Sequence, residues 1–256
     1  MEIQLPEHID LSRSEQYVLI LEVHPEQFAF SLHHPDNETE AFYYLFPVHR
    51  TLDACSQFQE AFFNHVFFTY PFRKILIVNH TPVFTYVPNL LFEEKDKAAY
   101  IQFLFPAAGG KILHQTLMTP AMTIIHTLPE DIYRFFQRSF PEAVIVHHTA
   151  APIAWCQEKG QIIDANRMIL FRQPHGIDIL CFSRQQLLLS NYFHCDSTDD
   201  AVYYALYIYK QLKFNQLKDY IYLMEAEKGL QERLSKYIQN VVPCENSQWK
   251  IQKSAI

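Results

Sequence analysis

Apolar and polar positions alternate with a period of two over Phe28 to His33 (FAFSLH). That stretch follows a β-rich apolar run, Tyr17 to His24 (YVLILEVH), and a turn at Pro25-Glu26-Gln27. A second turn at Pro35-Asp36-Asn37 leads into Ala41 to Val48 (AFYYLFPV), so the pattern predicts a three-strand meander. The period then changes. Phe58, Phe62 and Val66, with Ala54, Ala61 and His65 beside them, recur at helical spacing over Leu52 to Tyr70, and Pro71 ends the helix. Lys74 to Asn79 (KILIVN) is a short continuous apolar run, the pattern of a strand buried on both faces.

The same order returns later in the chain. Arg167 to Phe171, Ile177 to Ser183 and Leu187 to Phe193 form a second meander, turning at Pro174-His175-Gly176 and Arg184-Gln185-Gln186. Ser197-Thr198-Asp199-Asp200 predicts a helix start, because a serine oxygen accepts an orphan amide and acids suit the positive end of the dipole. The helix runs to about Leu212 on a stripe of Val202, Leu206 and Tyr209; Tyr220 to Met224 is again a strand. Leu230, Leu234, Tyr237, Ile238 and Val241 are spaced as a final amphipathic helix. Two copies of strand, strand, strand, helix, strand imply an internal duplication. Residues 13–160 form the first lobe and 161–256 the second. Within the first lobe, 81–128 reads as an insertion of short strands around a charged helical piece, Phe92 to Phe105. It is followed by a helix from Pro129, a strand at Ala143 to His148 and a helix from Ala150.

Composition narrows what such lobes can bind. With 49% hydrophobic residues and 15% aromatics, substantial cores are available to 256 residues. Glycine is scarce, 5 residues where the usual share of about 7% would supply several times more, so a ligand here is not cradled by glycine loops. A net charge of -7 without any Lys/Arg run argues against a nucleic-acid partner. Five scattered cysteines with no C-x-x-C pair read as buried reduced thiols. No apolar run reaches the ~18 residues of a membrane span, and the N-terminus has no signal pattern, so a cytoplasmic location is expected. Residues 248–256 carry too little apolar surface to predict an anchor, which leaves peripheral membrane association open.

A duplicated β-β-β-α-β-α unit with a subdomain inserted after the fourth strand of its first copy resembles the actin-like ATPase superfamily. Sugar kinases, the Hsp70 ATPase domain and the cell-division and pilus-assembly actin homologues share that plan. More narrowly, the chain resembles a bacterial family of degenerate actin-like proteins known only as a domain of unknown function. The expected fold class is therefore α/β: duplicated ribonuclease H-like lobes in an actin-like ATPase fold, with an inserted subdomain in the first lobe.

The resemblance implies an ATP site between the lobes, with glycine-bearing loops at the first turn of each copy. In the first copy Leu21-Glu22-Val23-His24-Pro25-Glu26 stands there, with Glu22 near the metal-side acid and His24-Pro25 in place of the glycine. In the second copy the turn is Leu170-Phe171-Arg172-Gln173-Pro174-His175-Gly176, with Phe171 where the acid would be. Leu223-Met224-Glu225-Ala226-Glu227 lacks the Gly-Gly pair of an adenosine loop. The residual candidates for nucleotide contact are Glu22, His24, His175, Gly176 and Glu225; no cofactor is expected and no catalytic residue is assigned.

Other patterns are weaker. Thirteen histidines invite a metal, particularly His33-His34, His147-His148 and His194-Cys195. Adjacent strand residues point to opposite faces, and no H-E-x-x-H occurs, so no metal site is expected. Cys195, just before the Ser197 cap, is the one thiol placed for a lowered pKa. Glu22, Asp164 and Asp178 do not fall at matched positions for a two-metal nuclease. Gly109-Gly110 reads as a turn into a strand. Aromatics on more than one face of the helices at Phe58–Phe68 and Tyr203–Tyr209 suit a protein interface. The leading expectation is a non-catalytic actin-like scaffold that binds another protein or itself, through the insertion or an aromatic helix face. The competing one is a divergent nucleotide-binding ATPase or kinase using Glu22.

Overall fold

The computed structural model describes residues 3–46, 53–160, 164–224 and 228–244. They form two compact units, Met1–Leu117 with Ala121–His148 and Thr149–Ala255 with Met118–Pro120.

The first unit is built on β1 (Val18–Val23), β2 (Phe28–His34), β3 (Asn37–Leu45), α1 (Ala54–Asn64) and β4 (Lys74–Asn79). An inserted part follows: β5 (Phe84–Pro88), α2 (Lys97–Leu104), β6 (Lys111–Leu117) and β7 (Met122–Leu128); α3 (Glu130–Ser139) and β8 (Val144–His147) complete the unit. The main sheet has the order β3-β2-β1-β4-β8, with β1, β4 and β8 parallel, and the insertion is a separate antiparallel sheet, β5-β7-β6. Leu19, Leu21, Phe30 and Leu32 from one face of the sheet pack with Phe58, Ile132, Phe135 and Phe136 of α1 and α3. On the alternate positions Ile20, Leu76 and Val146 form a smaller cluster, so β1 and β4 are covered on both faces, as their continuous apolar runs require.

The predicted helix over Leu52 to Tyr70 is shorter in the structure. Asp53 caps α1 by accepting the Ser56 amide at 2.9 Å, and the helix ends at Asn64, while Leu52 lies outside the described residues. The His65 ring lies 2.8 Å from the Ala61 carbonyl that the helix would otherwise use, and its other nitrogen accepts the Ile3 amide at 3.2 Å. A 3-10 turn, Val66–Thr69, then carries Phe67 and Phe68 into the core.

The second unit repeats the plan: α4 (Ala150–Gly160), β9 (Asn166–Gln173), β10 (Gly176–Ser183), β11 (Gln186–His194), α5 (Thr198–Gln211), β12 (Tyr220–Met224), α6 (Lys228–Leu234) and β13 (Asn240–Cys244). Its sheet order, β11-β10-β9-β12-β13, matches the first sheet strand for strand. Ser197 caps α5, its Oγ accepting the Asp200 amide at 3.1 Å. The final helix stops at Leu234, not near Val241, because Val241 and Val242, β-branched, pair in parallel with Ile221 and Tyr222 of β12. Pro243 fits there because β13 is an edge strand. The helix α4, expected with the first lobe, groups with the second unit.

Candidate functional site: a histidine ladder and two filled turns

In the first unit the three parallel strands end in register, Val23 beside Asn79 and Asn79 beside His147. The next residue of each chain is a histidine: His24, His80 and His148. Backbone pairing runs one step past the strands, the His80 amide donating to the Val23 carbonyl at 2.7 Å and the His148 amide to that of Asn79 at 3.1 Å. At parallel-strand spacing, roughly 4.8 Å, side chains in one register must stack. The His24 and His80 rings lie 3.9 Å apart with 21° between planes, and His80 and His148 lie 4.9 Å apart at 14°.

Glu22, two residues before His24 and so on the same face of β1, closes the group. Its Oε2 is 3.6 Å from the Nε2 of both His24 and His80, and all three side chains are buried. His147 and His126 extend the cluster, ring to ring at 4.2 Å (His147 to His148) and 5.2 Å (His126 to His147). Asn79 Nδ2 donates to His126 Nδ1 at 2.8 Å and to the Thr127 carbonyl at 2.9 Å, which places the His126 proton on Nε2. Burial, reinforced by neighbouring imidazoles, holds His126 down at about 3 and His80 and His147 well below the usual histidine value. These rings are therefore neutral near pH 7.

The expectation that His147 and His148 point apart fails because β8 ends at His147; alternation stops there and both rings join the cluster. His80 and His126 were not singled out in the sequence. The available signal was that Lys74 to Asn79, like Tyr17 to Val23 and Ala143 to Val146, is an apolar run that meets a histidine at its carboxyl end.

The turn in the second unit is filled differently. Gly176 opens β10 opposite Gln173, and a Cβ on it would stand 2.3 Å from the Tyr192 ring. Tyr192 donates its hydroxyl to the His175 carbonyl at 2.7 Å, and Arg172 Nη1 donates to the carbonyls of Gly176 at 3.0 Å and Cys195 at 3.1 Å. His175 lies 3.6 Å from Asp196 at the surface. Phe171 and Met224, side by side in β9 and β12, are buried; Glu225 lies outside the described residues. Cys195 is no activated thiol: burial pushes it up, and Arg172 Nη1 already reaches its sulfur at 3.0 Å. Asp178 is buried against Gln173 and Asp164 faces Arg184 at the surface, so the carboxylates considered for a nuclease are not gathered. Among the described residues, Glu22, His24 and His80 are the one group of three metal-ligating side chains brought together.

A family model described as a protein of unknown function, DUF3822, matches residues 6–241. No curated protein matches the chain. Among solved structures, a protein with actin-like ATPase fold and unknown function from Bacteroides thetaiotaomicron is similar at 28% identity and TM-score 0.82, with 92% of this chain and 93% of that one covered. The PilM–PilN type IV pilus biogenesis complex is similar at 12% identity and TM-score 0.55, over 91% of this chain and 89% of that one. The fold is that of actin-like ATPases.

Proposed function

We propose that this chain, which belongs to the DUF3822 family, is a non-catalytic actin-like scaffold that holds a protein partner in the bacterial cytoplasm and no longer uses a nucleotide. The observation that carries the reading is the end of β1. Where a phosphate loop needs bare backbone amides, this chain places the buried side chains of Glu22 and His24, backed by His80. The Glu22 carboxylate offers a phosphate repulsion, and the buried side chains add bulk where bare amides would be needed. In the second unit the carbonyls of His175 and Gly176 are taken by Tyr192 and Arg172, and the glycine makes room for a ring.

Support for a partner comes from apolar surface that folding does not use. In the inserted part Leu90 and Leu91 are 99% and 67% exposed, and Phe103 on α2 is 85% exposed. The Tyr100 hydroxyl donates to the Leu91 carbonyl at 3.3 Å, which ties α2 to the segment that carries the exposed leucines. On α5, Tyr203 and Tyr207 stack in the open, 6.0 Å apart. The pilus complex of the same fold is itself an assembly of two proteins, which agrees with this use of the scaffold. No helix among the described residues is long and apolar enough to cross a membrane.

Thermal unfolding with millimolar Mg-ATP, Mg-ADP and Mg-GTP tests the reading. No shift is expected. A ligand present at ~100 times its dissociation constant adds about 2.7 kcal/mol and raises the midpoint by several degrees. A magnesium-dependent rise of that size that Glu22→Ala removes would replace the scaffold with a divergent nucleotide-binding ATPase.

A further inference from the structure

We infer that Glu22, His24 and His80 form a binding site for a divalent cation of the zinc class, a site that the spacing of ligands along the sequence did not predict. It goes beyond the scaffold reading and does not depend on it. The three ligand atoms lie within 4.8 Å of one another, and Oε2 of Glu22 is 3.6 Å from Nε2 of each histidine. Metal–ligand bonds of 2.0–2.2 Å in a tetrahedron put ligand atoms about 3.4 Å apart, so the two measured edges need to contract by only ~0.2 Å. Bringing both lone pairs onto one ion also requires the stacked rings to open from 21°, a rotation about χ2, which is a soft torsion for histidine.

The chemistry of the donors selects the cation. Two imidazole nitrogens and one carboxylate suit zinc, cobalt or nickel, whereas magnesium and calcium take oxygen shells. His24 Nδ1 is buried without a hydrogen-bond partner among the described residues, so turning the ring breaks no hydrogen bond at that atom. The backbone already fixes the ligands: Val23 and Asn79 are paired in register, and the His80 amide is tied to the Val23 carbonyl at 2.7 Å. Three protein ligands leave a fourth position for solvent. The ion would cross-link the β1 end to the β4 end across 56 residues of sequence.

The test uses the full chain, stripped with a chelator and titrated at neutral pH with Co2+ and then Zn2+. One equivalent should bind, Co2+ should give the intense visible bands of a four-coordinate site, and Zn2+ should displace it. Glu22→Gln and His24→Gln should each weaken Zn2+ binding at least tenfold while far-UV circular dichroism stays unchanged, and His114→Gln should leave it unaltered. No stoichiometric binding at micromolar metal, or binding equal in wild type and both ligand variants, overturns the site. If a variant fails to fold, zinc X-ray absorption of the wild-type chain decides: two imidazoles and one carboxylate uphold the site, and any other protein shell overturns it.

Discussion

The ring of Tyr192 fills the space that a side chain at Gly176 would need, its Cζ and hydroxyl oxygen both standing 2.3 Å from where a Cβ would be. The hydroxyl is anchored on the His175 carbonyl at 2.7 Å, so the ring does not simply swing away. One of the chain's five glycines thus makes room for a tyrosine at the β9-β10 turn.

It follows that Gly176→Ala should cost about 1–3 kcal/mol, the range of overpacking, and that Tyr192→Ala in the same chain should return part of the loss. Urea unfolding of the two single variants and the double variant measures the coupling between the positions. A Gly176→Ala chain within about 0.5 kcal/mol of wild type would mean that the ring moves aside without cost.

The buried histidines away from Glu22 set an acid limit. His126 is held down at about 3 and His147 well below its usual value, chiefly by burial and then by His148, with His114 and His126 adding smaller repulsions. Both values are lower in the folded chain than in the unfolded one. The unfolded chain therefore binds more protons below pH 6.5, and stability is full above that value and lost as pH falls from 6.5 toward 3. The slope is roughly 1.4 kcal/mol per pH unit per histidine. Urea midpoints at pH 7.5, 6 and 5 should fall steadily, and His126→Gln should flatten the trend by about one histidine's share. Equal midpoints at pH 7.5 and 5 would contradict the neutral cluster.

The strands of both meanders, the helix cap at Ser197 and the duplication were legible because each is written in local period and turn chemistry. The histidine ladder was not, because its members are 56 and 68 residues apart and meet only through the β1-β4-β8 register. The same limit applies to Val241: helical spacing and a β-branched strand edge coincide there, and parallel pairing with Ile221 decided between them. At His65 the helical period continued, but a ring competing for the Ala61 carbonyl ended the helix, a side-chain effect that period alone does not carry.

Arg167 offers a stability change of opposite sign. It is fully buried in β9, its Nη1 donates to the Cys156 carbonyl at 3.1 Å, and its Nε and Nη2 have no hydrogen-bond partner among the described residues. A buried cation so poorly compensated costs more than an apolar chain of similar length. Arg167→Met should therefore match or exceed wild type in urea, by up to about 2 kcal/mol. A loss greater than about 1 kcal/mol would show that the guanidinium stabilises the fold through an interaction that methionine does not replace.

Two neighbours on α2 separate folding from binding. Ile101 is 1% exposed and packs with Val87 and Ile125 between helix and inserted sheet, whereas Phe103 is 85% exposed. Ile101→Ala should cost about 2–5 kcal/mol, the range for a truncated core residue. Phe103→Ser should stay within about 0.5 kcal/mol of wild type, because the ring buries almost nothing in the isolated chain. If α2 is a docking face, Phe103→Ser should also lose the partner that the wild-type chain retains, with an unchanged melting temperature as the internal control. A drop in stability for Phe103→Ser comparable to that of Ile101→Ala would assign the ring to the fold and remove the insertion as the docking face.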